Sequence, residues 1–125
     1  MSFCTSIHCM DGRVQRPLFD YIARVFGHAW VDSITIPGAN KVLAEQAPAQ
    51  AINATLEQIA ISRSKHGSEL LFISGHHDCA ANPIGKEPQI EQIKSALSFL
   101  QTQVPEMNSI GLWIDDNWVV HRLHF

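Results

Sequence analysis

The sequence has no apolar run approaching the ~18 residues of a membrane-spanning helix, and lysine and arginine nowhere form a cluster. These absences argue against a membrane segment and a basic groove, so neither a membrane nor a nucleic-acid partner is expected. The first residues also lack a basic region followed by a long apolar stretch. Without that mark of a secretion signal, we expect a cytoplasmic location.

Cysteine is limited to three residues, and an odd number cannot complete a set of disulfides. In a reducing compartment, such residues serve as thiols or metal ligands. The remaining composition is ordinary for a globular protein, with 46% hydrophobic residues, 17% charged residues and a formal net charge of −3. At 125 residues, the chain is expected to form one domain over residues 1–125.

Hydrophobic periodicity alternates between strand and helix patterns along the chain. Strands are predicted over residues 2–8, 31–36, 70–73, 109–115 and 118–124. Helices are predicted over residues 17–29, 40–47 and 49–66 and around residues 90–100, with Pro17 in the first turn of the first helix. This order predicts an α/β fold, with an open, mainly parallel sheet of about five strands flanked by helices. The last strand is antiparallel, because the connection before it is long enough only for a hairpin.

Metal-binding residue types follow two of these strands. Cys9 comes directly after the first strand, and His76 and Cys79 follow the third. Ligand sites form outside the carboxyl ends of parallel strands, so if these two strands are neighbours, the three side chains are expected to face one crevice. Thiolate and imidazole ligands suit zinc. His76 is preferred over His77, which is closer to Cys79 in sequence and is expected to point away. The alternative is a buried structural cysteine beside an unrelated surface histidine.

Asp11 and Arg13 lie at the same strand end as Cys9. An arginine beside an aspartate keeps the carboxylate ionised and fixes its orientation with two parallel hydrogen bonds. That carboxylate could accept a hydrogen bond from a zinc-bound water or ligate the zinc itself. An ordinary ion pair in a turn is the alternative.

Together these residues resemble the β-class carbonic anhydrases. That family has Cys-x-Asp-x-Arg after its first strand and a Gly-His-x-x-Cys segment after a later one, which stand here as Cys9–Arg13 and Gly75–Cys79. Residues 32–40 are similar to the family's second strand and turn, and residues 110–115 to its late strand. The sequence departs from the pattern at Ala80, where the family has glycine, and at Pro37, where the family's turn arginine has no counterpart. The resemblance covers most of the chain and implies a β-carbonic anhydrase-like fold.

The resemblance also implies an activity. Cys9, His76 and Cys79 would hold Zn²⁺, and zinc hydroxide would attack carbon dioxide to give bicarbonate. Asp11 would orient the hydroxide in an open state or occupy the metal in a closed one, and Arg13 would hold Asp11 off the zinc. Family members assemble through sheet edges and neighbouring helices, so a homodimer or higher homo-oligomer is expected.

Other functions stay open on the same scaffold. One is a non-catalytic zinc- or ligand-binding protein, and another is a hydrolase of a small molecule such as carbon disulfide. A phosphatase-type loop fits poorly, because it needs five residues between cysteine and arginine, and only three separate Cys9 from Arg13.

Several further residues are expected to be structural. Cys4 lies inside the first strand and is expected in the core. The side chain of His8 is expected on the opposite strand face from that of Cys9. The three tryptophans are expected in the core or at an interface: Trp30, Trp113 and Trp118.

Overall fold

A computed structural model describes residues 2–125 of the chain. The described residues form strands and helices in the order β1 (Phe3–His8), α1 (Gly12–Phe26), β2 (Trp30–Thr35), α2 (Ala39–Glu45), α3 (Ala49–His66), β3 (Leu70–His76), α4 (Lys86–Gln103), β4 (Asn108–Ile114) and β5 (Val120–Arg122). No helix within residues 2–125 is long and apolar enough to cross a membrane.

The five strands form one sheet in the order β2-β1-β3-β4-β5. The first four strands in this order run parallel, and β5 pairs antiparallel with β4. This arrangement confirms the predicted α/β fold. Because β1 and β3 are parallel neighbours, with Ile7 opposite Ile73, the residues that follow them emerge at the same edge of the sheet.

Helices cover both faces of the sheet, and each face has its own apolar cluster. On one face, α1 packs Val14, Leu18 and Ile22 against residues such as Phe72 and Leu112. On the other face, α2, α3 and α4 pack against alternate residues of the same strands, including Ile7 and Ile73. A sheet buried on both sides explains why β3 is apolar without alternation.

The first helix begins at Gly12, five residues before its predicted start. Asp11 caps it, because its Oδ1 accepts a hydrogen bond of 2.9 Å from the backbone N–H of Arg13. The polar residues of the first turns hid this start from the periodicity, although Val14 belongs to the buried stripe. Pro17 therefore lies inside the helix and not in its first turn. The helix ends at Phe26, because Gly27 has a φ of 75° and leaves the helical path.

The final strand is shorter than predicted, because the hairpin turn is longer. The backbone N–H of Asp115 donates to Val119 O at 3.0 Å, so the turn extends through Trp118, whose φ is 59°. The Asp115 carboxylate holds this turn by accepting from the backbone N–H groups of Asn117 and Val119 and from the ring of His121.

The Asp115 carboxylate should make the stability of the protein depend on acid. Its hydrogen bond with His121, helped by the bonds from Val119 and Asn117, lowers its pKa to about 2. A lowered folded-state pKa gives stability that is present above the unfolded pKa of ~3.9 and lost as pH falls towards 2. We expect Asp115→Asn to lower the urea midpoint at pH 6 and to show a much smaller deficit below pH 2, where the carboxyl group is protonated in both states. Asp116→Asn, at an exposed neighbour, is the control; an equal deficit of Asp115→Asn at both pH values would contradict this assignment.

Candidate metal centre

Three metal-capable side chains meet at the carboxyl edge of the sheet. Cys9 directly follows β1, His76 ends β3, and Cys79 lies in the loop after β3. The structure thus brings together the three residues that the sequence singled out as ligands. Their donor atoms, one from each side chain, all lie within 4.8 Å of one another, and all three residues are buried. We call Cys9, His76 and Cys79 the Cys-His-Cys cluster.

The two sulfur atoms of the cluster are close but not bonded. Cys9 Sγ and Cys79 Sγ are 3.9 Å apart, and both cysteines are free thiols. Burial raises the pKa of Cys9, but the neighbouring His76 and the backbone N–H groups of Gly38 and Asp11 lower it by more, to about 7. Burial raises the pKa of Cys79, and the Cys9 thiolate raises it further. A divalent cation would remove the repulsion that opposes two adjacent thiolates, so the pair has the chemistry of a metal site.

The ring of His76 is oriented with one nitrogen free. Nδ1 lies 2.7 Å from the carbonyl oxygen of His77. Because a carbonyl only accepts, Nδ1 carries a proton, and Nε2 is the ring nitrogen left to bind a metal. That Nε2 is buried and is one of the side-chain atoms without a hydrogen-bond partner in residues 2–125. An unpaired buried acceptor is costly, and a metal ion would satisfy it. The donor set therefore fits zinc.

Asp11 and Arg13 lie beside the cluster as an interlocked pair. Arg13 Nη2 donates to Asp11 Oδ2 at 2.7 Å, and Arg13 Nε donates to Asp11 Oδ1 at 3.1 Å. These hydrogen bonds lower the pKa of Asp11 to about 2, against a smaller opposing effect of burial. The carboxylate is thus ionised at neutral pH and turned towards Arg13. It is not one of the three residues whose donor atoms converge in the cluster.

Two residues that the sequence analysis did not assign to the site contact the side chain of Arg13. Asp78 accepts from Arg13 through its Oδ2 at 3.2 Å and through its backbone oxygen at 3.1 Å. The ring of Trp118 stacks on the guanidinium, 4.5 Å from its carbon to the ring centroid. Trp118 packs, half-buried, against the apolar cluster on the α1 side of the sheet, in line with its predicted core role, and it also lies next to the site. Trp118 lies in the turn between β4 and β5 and has a positive φ. Turn residues have no hydrophobic periodicity from which its contact with Arg13 could be predicted.

The residues expected to be structural are placed as follows. Cys4 is fully buried in the α1-side cluster, where burial raises its pKa to about 12. The ring of His8 is buried and lies between Ser6 and Gln15, away from the Cys-His-Cys cluster. Trp113 is 3% exposed and belongs to the core, and Trp30 is 51% exposed on the edge strand β2.

Comparison with known proteins agrees with this architecture. The sequence matches the family described as "Putative carbonic anhydrase" over residues 1–124. A comparison with curated proteins finds no match. Among solved structures, β-carbonic anhydrase isoform I of the protozoan Trichomonas vaginalis is 16% identical, with a TM-score of 0.61; the match covers 94% of this chain and 80% of that one.

Two fungal structures are similar to the same degree. One is from the pair of tetrameric β-carbonic anhydrases of Sordaria macrospora, at 12% identity and a TM-score of 0.64, covering 98% of this chain and 80% of that chain. The other is the β-carbonic anhydrase CafA of Aspergillus fumigatus, at 13% identity and a TM-score of 0.63, covering 96% and 74%. At such identities the likeness to these structures is one of fold. With the family match over nearly the whole sequence, the chain belongs to the "Putative carbonic anhydrase" family, and its fold is that of the β-class carbonic anhydrases.

Proposed function

We propose that this protein is a zinc-dependent carbonic anhydrase that hydrates carbon dioxide to bicarbonate. The observation that carries the proposal is the Cys-His-Cys cluster, whose unpaired His76 Nε2 and adjacent thiols have the composition of a zinc site. The cluster provides three protein ligands, and a fourth position is thereby left for a reactant, as in catalytic zinc sites. When bound there, zinc lowers the pKa of a coordinated water to about 7 and so supplies hydroxide at neutral pH.

The chain's own residues would orient the reactants. The pKa of Asp11 is about 2, so its carboxylate can only accept hydrogen bonds at neutral pH. Arg13 holds both of its oxygens and so fixes the direction in which the remaining lone pairs point. We infer that Asp11 accepts a hydrogen bond from the reactant and thereby orients the reacting oxygen. Arg13 would keep Asp11 from turning into the Cys-His-Cys cluster.

Assembly and domain organisation form part of the same proposal. The Sordaria macrospora enzymes are tetrameric, and the edge strand β2 of this chain exposes Trp30 and two polar residues, Ser33 and Thr35. Thr35 lies opposite His8, the residue before Cys9, so the carboxyl end of this edge strand is close to the site, whereas Trp30 lies at its other end opposite Phe3. We propose a homo-oligomer in the cytoplasm. A single sheet shared by both apolar clusters supports one domain. Light scattering on the purified protein would measure the mass.

The direct test is stopped-flow carbon dioxide hydration, with zinc content measured on the same sample. We expect about one zinc per chain and hydration that disappears on chelation and returns with added zinc. One zinc per chain without hydration would instead favour a binding protein or a hydrolase of another small molecule. Absence of both zinc and hydration would overturn the proposal.

Asp11→Ala should separate metal binding from turnover. We expect the variant to keep its zinc and to lose hydration activity by about 100-fold, the scale of losing the alignment of a reactant. Because Asp11 also caps α1, the free energy of unfolding should fall by about 1 kcal/mol, and unfolding is measured in parallel. Asp20→Ala, at an exposed position of the same helix, is the control. Loss of zinc from Asp11→Ala would instead make Asp11 a metal ligand.

A further inference from the structure

The backbone of His76 lies at the end of β3, beyond the last residue of β3 that pairs with β1. Successive residues of a strand direct their backbone groups to opposite neighbours, and the N–H of His77 donates to Ile114 of β4 at 2.9 Å. The N–H and C=O of His76 therefore face the other side, towards β1. Pairing between β1 and β3 ends at Ile7 and Ile73, before His76 is reached. The two backbone groups are buried at a position where no strand can pair with them.

Gln89 of α4 takes the place of the missing strand. Its Oε1 accepts from the backbone N–H of His76 at 3.3 Å, and its Nε2 donates to the backbone oxygen of His76 at 2.9 Å. The same Nε2 also donates to Ile84 O at 3.1 Å. The side chain is 1% exposed. One amide thus holds both backbone groups of a cluster residue.

The neighbouring residues are arranged around this amide. A Cβ at Gly75 would lie 2.8 Å from Gln89 Oε1, so only glycine admits the amide directly before His76. Asn40 donates weakly to Gln89 Oε1 at 3.4 Å and more closely to Gln92 Oε1 at 2.9 Å. Asn82 donates to the same Gln92 oxygen at 2.8 Å. These contacts fix the amide of Gln89 so that its oxygen faces an N–H and its nitrogen faces a carbonyl.

We propose that Gln89 is a positioning residue that aims His76 at the metal. The inference rests on the proposed function, because holding the backbone of His76 matters for metal binding only if His76 is a ligand. The imidazole has one hydrogen bond of its own, from Nδ1 to His77 O, so a shift of the His76 backbone carries Nε2 with it. Within residues 2–125, the hydrogen bonds of Gln89 to His76 go to the backbone and none goes to the ring, so Gln89 acts through the backbone of the ligand.

Gln89→Met tests the proposal, because methionine has a similar length and volume but no amide. Zinc affinity is measured by competition with a chromophoric chelator under reducing conditions, and the visible bands of the Co²⁺-loaded protein report ligand geometry. We expect about tenfold weaker zinc binding, at the lower end of outer-shell effects, and altered Co²⁺ bands. Gln101→Met makes the same change at an exposed position of α4 outside this network, and it should match wild type in both measurements.

The outcomes separate this inference from the proposed function. Wild-type zinc affinity and Co²⁺ bands in Gln89→Met would overturn the positioning role alone, whereas a wild-type protein that binds no zinc would overturn the proposed function. If Gln89→Met does not fold, Gln89→Asn keeps the amide but is one methylene shorter, so it cannot reach both backbone groups of His76. Its zinc binding should also be weaker, and an affinity equal to that of wild type would overturn the positioning role of Gln89.

Discussion

Cys79→Ser is expected to lose most of its bound zinc. A serine hydroxyl stays protonated at neutral pH, so the variant would keep one thiolate and one imidazole where the wild type has two sulfur ligands. The loss should exceed the 10–100-fold that outer-shell changes cost, because a direct ligand is removed. Zinc per chain, measured after gel filtration in the presence of a weak chelator, reports the result.

Cys4→Ser is the matched control for this experiment. It makes the same chemical change at another buried cysteine, but Cys4 belongs to the α1-side apolar cluster and not to the Cys-His-Cys cluster. Its zinc content should equal that of wild type, even where its unfolding midpoint is lower. If Cys79→Ser and wild type held the same amount of zinc, the assignment of the site would be wrong.

Arg13→Met is expected to lower hydration by about 100-fold while leaving zinc in place. Methionine keeps much of the length of the side chain but removes every side-chain hydrogen bond to Asp11 and Asp78, while the backbone N–H of residue 13 still caps the helix through Asp11. Without the guanidinium hydrogen bonds, the pKa of Asp11 rises from about 2 towards its ordinary range. Its carboxylate is also free to turn into the cluster, where it would compete with the reactant for the metal.

The measurement for Arg13→Met is hydration rate against zinc content, over a range of carbon dioxide concentrations. Arg16→Met changes an exposed arginine of the same helix and should behave as wild type. Unchanged hydration in Arg13→Met would show that the pair with Asp11 is only a helix-terminal ion pair. Parallel loss of zinc and hydration would make Arg13 a structural support of the metal site.

The sequence was sufficient to bring the cluster residues together, because their positions depend on simple relations. Cys9 and His76 stand at the ends of apolar strands, and parallel strands end at one edge of the sheet. The parallel arrangement of the sheet followed from the alternation of strands and helices, whereas the strand order that makes β1 and β3 neighbours is seen only in the structure. Whether the cluster binds zinc stays a prediction, since donor geometry alone does not load a site.

The supporting residues could not be found in this way. The role of Gln89 depends on where β1 stops beside β3, and strand lengths are not fixed by apolar periodicity. Trp118 reaches Arg13 from a turn with positive φ, which has no periodic pattern. The start of α1 was missed because polar residues fill its first turns, and the capping role of Asp11 was hidden by its place in the motif.

The pairing of β1 with β3 also bears on the order of events during synthesis. Seventy residues separate the two sulfur atoms that lie 3.9 Å apart, and bringing together the ends of such a long loop has an entropic cost. In a nascent chain, the three ligands are therefore not assembled until the third strand and the loop after it have left the ribosome and the strand has paired with the first. Metal loading would then be a late event that selects correctly folded molecules, since binding draws the population towards the folded state.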